Sequence, residues 1–508
     1  MTSNSLMSAP TMSRRTVMTT AAMALIFPLV ACGRRGEAGG SSSASASAAP
    51  GPDNPLSGMA GTTPLSDEQY QTMVEGVAAW VSRSWPLMGS VWPGADYTQH
   101  RIVAMQVDEE LKAARAWVIS TDGHRELKGD EYADIKAPTS YDKITFEGKP
   151  SISLNLGQAA SVSGGNDQEG SAEPSGSTPA ISATGASEPV PNLKDPSTYA
   201  FALVTHELVH FYYQGEINVS ASSSRDTPYP FEARPRILRR MLLHRLRMAA
   251  TEADRRSEHL GRARYWLDTW KSEFPSEAED IHHYDIAEGV ARYVEYTALS
   301  IEDGQSDEQL QARRELLLKD EYLGVSIDTE SYALGFITGL LLDSLEPEWK
   351  NGFYASGKTL TDLLLENVSP VPEDVDTELS GKVEELIRKS EDEVAPDIKK
   401  IDDAEADTSI AYLRCSDYGE IGFGGSYAYR DKVVLTMTIL VLNGSGQSLQ
   451  VLGAPSFTSG DGGALTIPLI GVTHSYADGV LTVESDTING SIGAERTTEG
   501  GREVFVAS

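Results

Sequence analysis

Cysteine is nearly absent: 508 residues contain two, Cys32 and Cys415. A disulfide framework is therefore not expected, and each cysteine needs its own explanation. Basic residues are scarce, 42 against 74 acidic ones, which leaves a formal net charge of −32. Binding a phosphate backbone needs a basic surface, so nucleic acid is excluded as a partner. An anionic membrane surface would repel the chain, so any membrane tie must be covalent or hydrophobic. Histidine is rare, at nine, too few for a surface protein that scavenges metal. No apolar run is long enough for a comfortable spanning helix, and no internal repeat stands out. What remains, 40% hydrophobic and 23% charged residues, is ordinary for soluble globular domains. The length implies two or three of them.

The first 31 residues read as an address. Arg14 and Arg15 precede an uncharged stretch that ends in Leu29-Val30-Ala31-Cys32, the basic, apolar, small-residue order of a signal peptide. Leu-Val-Ala-Cys resembles the bacterial lipobox. That resemblance implies cleavage before Cys32, a diacylglyceryl group on its sulfur, and an extracytoplasmic protein held to the cell membrane by lipid. Residues 13–18 are similar to a twin-arginine export signal, with Val17 where the pattern prefers Phe, so either export route stays open. Residues 32–64 are mostly Gly, Ser, Ala and Pro, a composition that buries too little apolar surface to offset its ordering entropy, and they are expected to be a flexible tether.

The body then alternates in pattern. Met73, Val77, Trp80 and Val81 recur at helical spacing and predict a helix over 67–84. Residues 102–107, 114–120, 144–146 and 152–156 read as strands of a small sheet. Residues 158–197 are again low in complexity and are expected to form a disordered surface insertion. Helices are expected over 199–213, 234–274, 281–301, 307–318, 331–345 and 378–401. The 234–274 stretch is basic on one side (Arg236, Arg239, Arg240, Arg245, Arg247) and should pair with acids inside the chain. Beyond about 405, short apolar strands (433–442, 449–452, 464–470, 480–483) alternate with Gly-rich turns and predict a small all-β domain. Cys415, at its start, reads as a small buried hydrophobe. The expected class is α+β: a mainly helical domain over 65–404 with a small N-terminal sheet, then a β-rich domain over 405–508.

The chemistry concentrates in His206-Glu207-Leu208-Val209-His210. Histidines four apart on a helix share a face, and two neutral imidazoles there can hold one zinc ion. Glu207 stands beside them as a general base, and zinc brings the pKa of bound water towards neutrality. Chance would produce this pattern in such a chain about once in a hundred. The flanks Phe201–Val204 and Phe211–Tyr213 are apolar, so these polar rings would be buried and need partners.

A catalytic zinc takes three protein ligands and keeps one position open. No downstream His-x-x-Gly-x-x-His follows, so the third ligand must come from elsewhere. Together with the His-Glu-x-x-His run, Glu288-Gly289-Val290-Ala291-Arg292-Tyr293 resembles the gluzincin metallopeptidases, whose third ligand is a glutamate on a later helix. The resemblance implies a zincin-like domain with His206, His210 and Glu288 as zinc ligands and Glu207 as the base that activates water against a peptide bond. Peptide or protein would be the substrate.

Rivals remain at several positions. Glu295 lies two turns from Glu288 on the same face and competes for the ligand role. Asp285 is a candidate to orient a ligand histidine, and Arg292, Tyr293 and Tyr213 are candidate oxyanion donors. His282 and His283 read as exposed or capping residues at a helix start. Tyr332 and Gly335 read as core. Under the resemblance, residues 152–156 would line the cleft where an extended substrate adds to a sheet edge. The alternative for the whole chain is a non-catalytic, zinc-containing binding lipoprotein; Glu207 counts against it, because a purely structural site has no use for a base.

Overall fold

A computed structural model describes residues 65–507 except 109–111, 139, 165–191, 218, 219, 221, 222, 320–323, 328, 417, 419, 420, 445, 446, 461 and 462. The expected signal peptide, Cys32 and the expected tether lie outside the described residues. The protein is a mixture of helix and sheet with an all-β region at the C-terminal end. Among the described residues no helix is long and apolar enough to cross a membrane.

The chain divides into two compact units: one runs to Ile398 and takes in Ser426–Val433, and the other comprises Lys399–Gly425 and Val434–Ser508. The division falls inside the helix Thr377–Ala406, before the boundary expected at 404. The reason is packing at the helix's last turns, where Ala404 is buried against Tyr412 and Val504.

The first unit opens with the helix Asp67–Ser84, started by a capping box in which Ser66 and Gln69 satisfy each other's backbone donors. A five-stranded sheet follows, built from β1 (Arg101–Val107), β2 (Ala113–Ser120), β3 (Gly123–Glu126), β4 (Tyr141–Phe146) and β5 (Lys149–Asn155), in the order β3-β2-β1-β5-β4. β1 and β5 are parallel and the other pairs antiparallel. One face buries Val103, Met105, Ala116, Val118, Leu127 and Phe146 together. Because β5 pairs on both sides, β4 is an edge of the sheet, with β3 the edge opposite. The strand expected over 152–156 is therefore interior and cannot accept an added strand.

The insertion expected over 158–197 is shorter than its composition implied. Residues to Gly164 complete the helix Leu156–Gly164, and Asp195 already caps the next helix by accepting from Thr198 N–H at 2.8 Å. Residues 165–191 lie outside the described residues.

The single helix expected over 234–274 is two, Ala233–Thr251 and Arg256–Glu273. Between them Glu252 leaves helical geometry, and its carboxylate accepts from His259 Nε2 at 2.9 Å. The arginines pair inside the unit, as their setting among acids implied. Glu330, fully buried, meets Arg236 at 2.5 Å, Arg239 at 2.9 Å and Arg240 at 2.9 Å. Glu277 pairs with Arg236, and Asp285 pairs with Arg239. Three arginines thus face three carboxylates, which keeps the buried cluster neutral.

In the second unit the long strand Gln447–Ser459 pairs with Ile488–Glu499 near one end and with Leu465–Pro468 near the other. With Tyr412–Cys415 and Arg502–Ala507 this closes a ring of five strands, which leaves no open edge within it. Val451, Leu465, Ile467, Ile488, Ile492 and Phe505 fill the interior with Cys415. Burial pushes the Cys415 thiol up to about 12, the inert small hydrophobe its position suggested.

Candidate metal centre

The motif helix, Pro196–Leu208, is held by its neighbours before it presents any chemistry. Trp80 stacks on Phe201 and donates from Nε1 to Thr198 Oγ1 at 3.2 Å. Trp85 donates to Thr205 Oγ1 at 3.1 Å, and Tyr97 donates to the Thr205 carbonyl at 3.0 Å. Indole and phenol donors thus fix the turn just before His206. The helix does not continue regularly to Tyr213 as expected. Over Val209–Tyr213 it widens, closing with Gln214 N–H on the Val209 carbonyl, and His210 sits in this widened turn. Such single wide turns recur at functional sites.

The partner helix is Pro275–Ser300. It packs closely on Thr329–Leu345 because glycine meets glycine: a Cβ on Gly335 would come within 2.1 Å of Gly289 Cα. Gly335 is core, as its setting implied, but its reason is this contact beside Glu288.

The sequence's ligand candidates converge. His206 Nε2 lies 3.1 Å from His210 Nε2 and 3.2 Å from Glu288 Oε2, and His210 Nε2 lies 3.4 Å from the same oxygen. His206, Glu207, Glu288 and Glu295 are all buried. His206 donates from Nδ1 to Glu295 Oε2 at 2.9 Å, and His210 donates from Nδ1 to Gln214 Oε1 at 2.7 Å. Those bonds fix both ring protons on Nδ1 when the rings are neutral. With both rings neutral, three lone pairs face one point with no donor among them; a proton on His206 Nε2 or a bound cation satisfies the arrangement. Tetrahedral zinc ligands at about 2.0–2.2 Å stand about 3.3–3.6 Å apart, close to the three separations found.

Electrostatics carry the same message. Burial alone would lower His206, but hydrogen bonds to Glu288 and Glu295 and the charges of Glu295 and Glu207 outweigh it and raise it to about 9. Glu288 is pushed upward by burial, yet His210, His206 and Arg225 hold it well below the usual carboxylate range. The carboxylates make the pocket favour positive charge, which a proton on His206 supplies and a divalent ion would supply equally. Burial raises Glu207 to about 7 against the pull of His206 and His210. Tyr141, on the edge strand β4, hydrogen-bonds the Glu207 carboxylate. Glu207 Oε1 is buried without a hydrogen-bond partner among the described residues.

Other expectations are redistributed. Glu295 binds His206 Nδ1, and Glu288 is the carboxylate that faces both histidine Nε2 atoms. Asp285 does not orient a histidine; it accepts from Arg239 at 2.8 Å and from Ser331 at 2.5 Å. The oxyanion candidates are engaged elsewhere. Tyr213 donates to the Asp96 carbonyl at 2.7 Å, Tyr293 donates to Asp343 at 2.7 Å, and Arg292 pairs with Glu295 at 3.0 Å. His282 and His283 are half-buried within the helix, which starts earlier, at Pro275. Tyr332 tilts over His206 at 5.9 Å between centroids and accepts from Arg225 at 3.4 Å.

Tyr141, Gln214 and Arg225 were missed. Gln214 stands four residues after His210, a spacing that could have been read; Tyr141 and Arg225 arrive through tertiary folding alone. No family model matches the chain, and neither does any curated protein or solved structure.

Proposed function

We propose that the protein is a zinc-dependent metallopeptidase with the gluzincin ligand pattern, His206, His210 and Glu288 holding the ion. The observation that carries this reading is the set of three converging lone pairs beside a buried, unpartnered Glu207 oxygen. Zinc in that position supplies a Lewis acid and brings water's pKa towards neutrality. The protein's own groups do the rest. Glu207 takes a proton at Oε1 and passes it to the leaving amine, while Tyr141 holds the carboxylate in place. Glu295, backed by Arg292, keeps the His206 ring in the tautomer that offers Nε2.

The substrate is an extended peptide laid along β4. Asn155 N–H binds the Ser140 carbonyl, so alternation turns the backbone groups of Tyr141, Lys143 and Thr145 outward. A strand added there reads Tyr141, the residue that touches Glu207. We further propose that the chain is exported and tied to the cell membrane by lipid on Cys32, which would hold the catalytic unit outside the cytoplasm. The test is Glu207→Gln assayed on a mixed peptide substrate. Cleavage should fall by about a hundredfold or more with metal content unchanged; undiminished cleavage would refute the assignment.

A further inference from the structure

Two carboxylates of the Pro275–Ser300 helix enter the site, and each is backed by its own arginine. Glu295 is paired with Arg292, its neighbour one turn earlier. Glu288 is paired with Arg225, which comes from a loop 63 positions earlier in the chain; Arg225 Nη1 lies 3.7 Å from Glu288 Oε1. Arg225 is placed by aromatic neighbours. Its guanidinium lies over the Tyr284 ring at 5.2 Å and donates to Tyr332 Oη at 3.4 Å. Tyr332 in turn carries Arg292 over its ring face at 4.8 Å, so one tyrosine touches both arginines.

The division of labour at Glu288 is by oxygen. Oε2 faces the two histidine Nε2 atoms, whereas Oε1 faces the guanidinium. In a buried, low-dielectric pocket a dication attracts both oxygens of an unrestrained carboxylate, and two-oxygen ligation would consume a position that water or substrate must occupy. A fixed cation on one oxygen prevents this. We propose that Arg225 is a positioning residue that makes Glu288 a single-oxygen ligand and so keeps one coordination position of the metal open. This rests on reading the cluster as a metal centre.

The test uses the full chain loaded with cobalt(II), whose visible absorption is strong at coordination number four and weakens as the number rises. Wild type, Arg225→Met, Arg225→Lys and Tyr332→Phe are compared at one cobalt per chain. Arg225→Met should keep the ion but lose much of the visible band, Arg225→Lys should restore most of it, and Tyr332→Phe should lose part. In peptide cleavage by the zinc form, Arg225→Met should lower kcat about 10–100-fold with KM little changed. A full-strength band in Arg225→Met overturns the proposal. If that variant does not fold, Tyr332→Phe decides, and a band equal to wild type overturns it. Failure of the wild type to take up cobalt refutes the metal centre itself, and is distinguishable because no band appears in any variant.

Discussion

His206 Nδ1 lies 2.9 Å from Glu295 Oε2, and that one bond joins two helices and sets which ring nitrogen faces the site. Arginine at 3.0 Å holds the carboxylate from behind. Replacing Glu295 by Gln keeps the shape but removes the charge. Zinc affinity measured by chelator competition should weaken about 10–100-fold. An affinity equal to wild type would show that Glu295 merely fills space.

Gly335→Ala should be severe, because the new methyl would meet the Gly289 backbone next to Glu288. Overpacking of this kind costs about 1–3 kcal/mol or more, seen as a lower thermal midpoint. Gly381, in an exposed helical position with open space around it, is the control. Its change to Ala should raise stability by about 0.5–1 kcal/mol. Equal effects at the two positions would contradict the helix contact described here.

Glu330→Gln leaves three arginines around a neutral group. Removing one partner of a buried ionic cluster costs about 3–5 kcal/mol, and the denaturation midpoint should fall accordingly. A neutral result would mean that water reaches the cluster.

His100 links stability to pH. It is buried; it donates from Nδ1 to the Pro150 carbonyl at 2.9 Å, and its Nε2 lies 2.5 Å from Tyr213 Oη. Burial lowers its pKa below the ordinary 6.5, against the pull of Asp96. The unfolded chain therefore binds the proton more readily. The contribution is complete above about pH 6.5 and is lost as pH falls from there through the folded value. Between pH 7.5 and 5.5 the wild-type melting temperature should drop more than that of His100→Gln. Parallel curves would remove His100 from the linkage.

Much of this was legible in the chain. The helical spacing of Met73, Val77, Trp80 and Val81 marks the first helix to its last residue, and the Gly-rich turns beyond 440 mark the β-rich region. His206 and His210 were readable because one helical turn fixes their relation locally. Glu288 was readable as the ligand candidate through the resemblance, with Glu295 as its rival on the same face; that Glu295 bonds His206 Nδ1 was not readable, because that contact joins helices 89 residues apart. Arg225 and Tyr141 carried no local signal, since each reaches the site only when its loop or strand is placed by the rest of the unit. The break at Glu252 was hidden because basic and apolar residues continue the same period on both sides of it.

Metal content decides the central claim. Elemental analysis of the purified protein and of His206→Ala should find about one zinc per chain in the first and none in the second. No zinc in the wild type after zinc is supplied, or equal amounts in both proteins, would contradict the metal centre and the peptidase built on it.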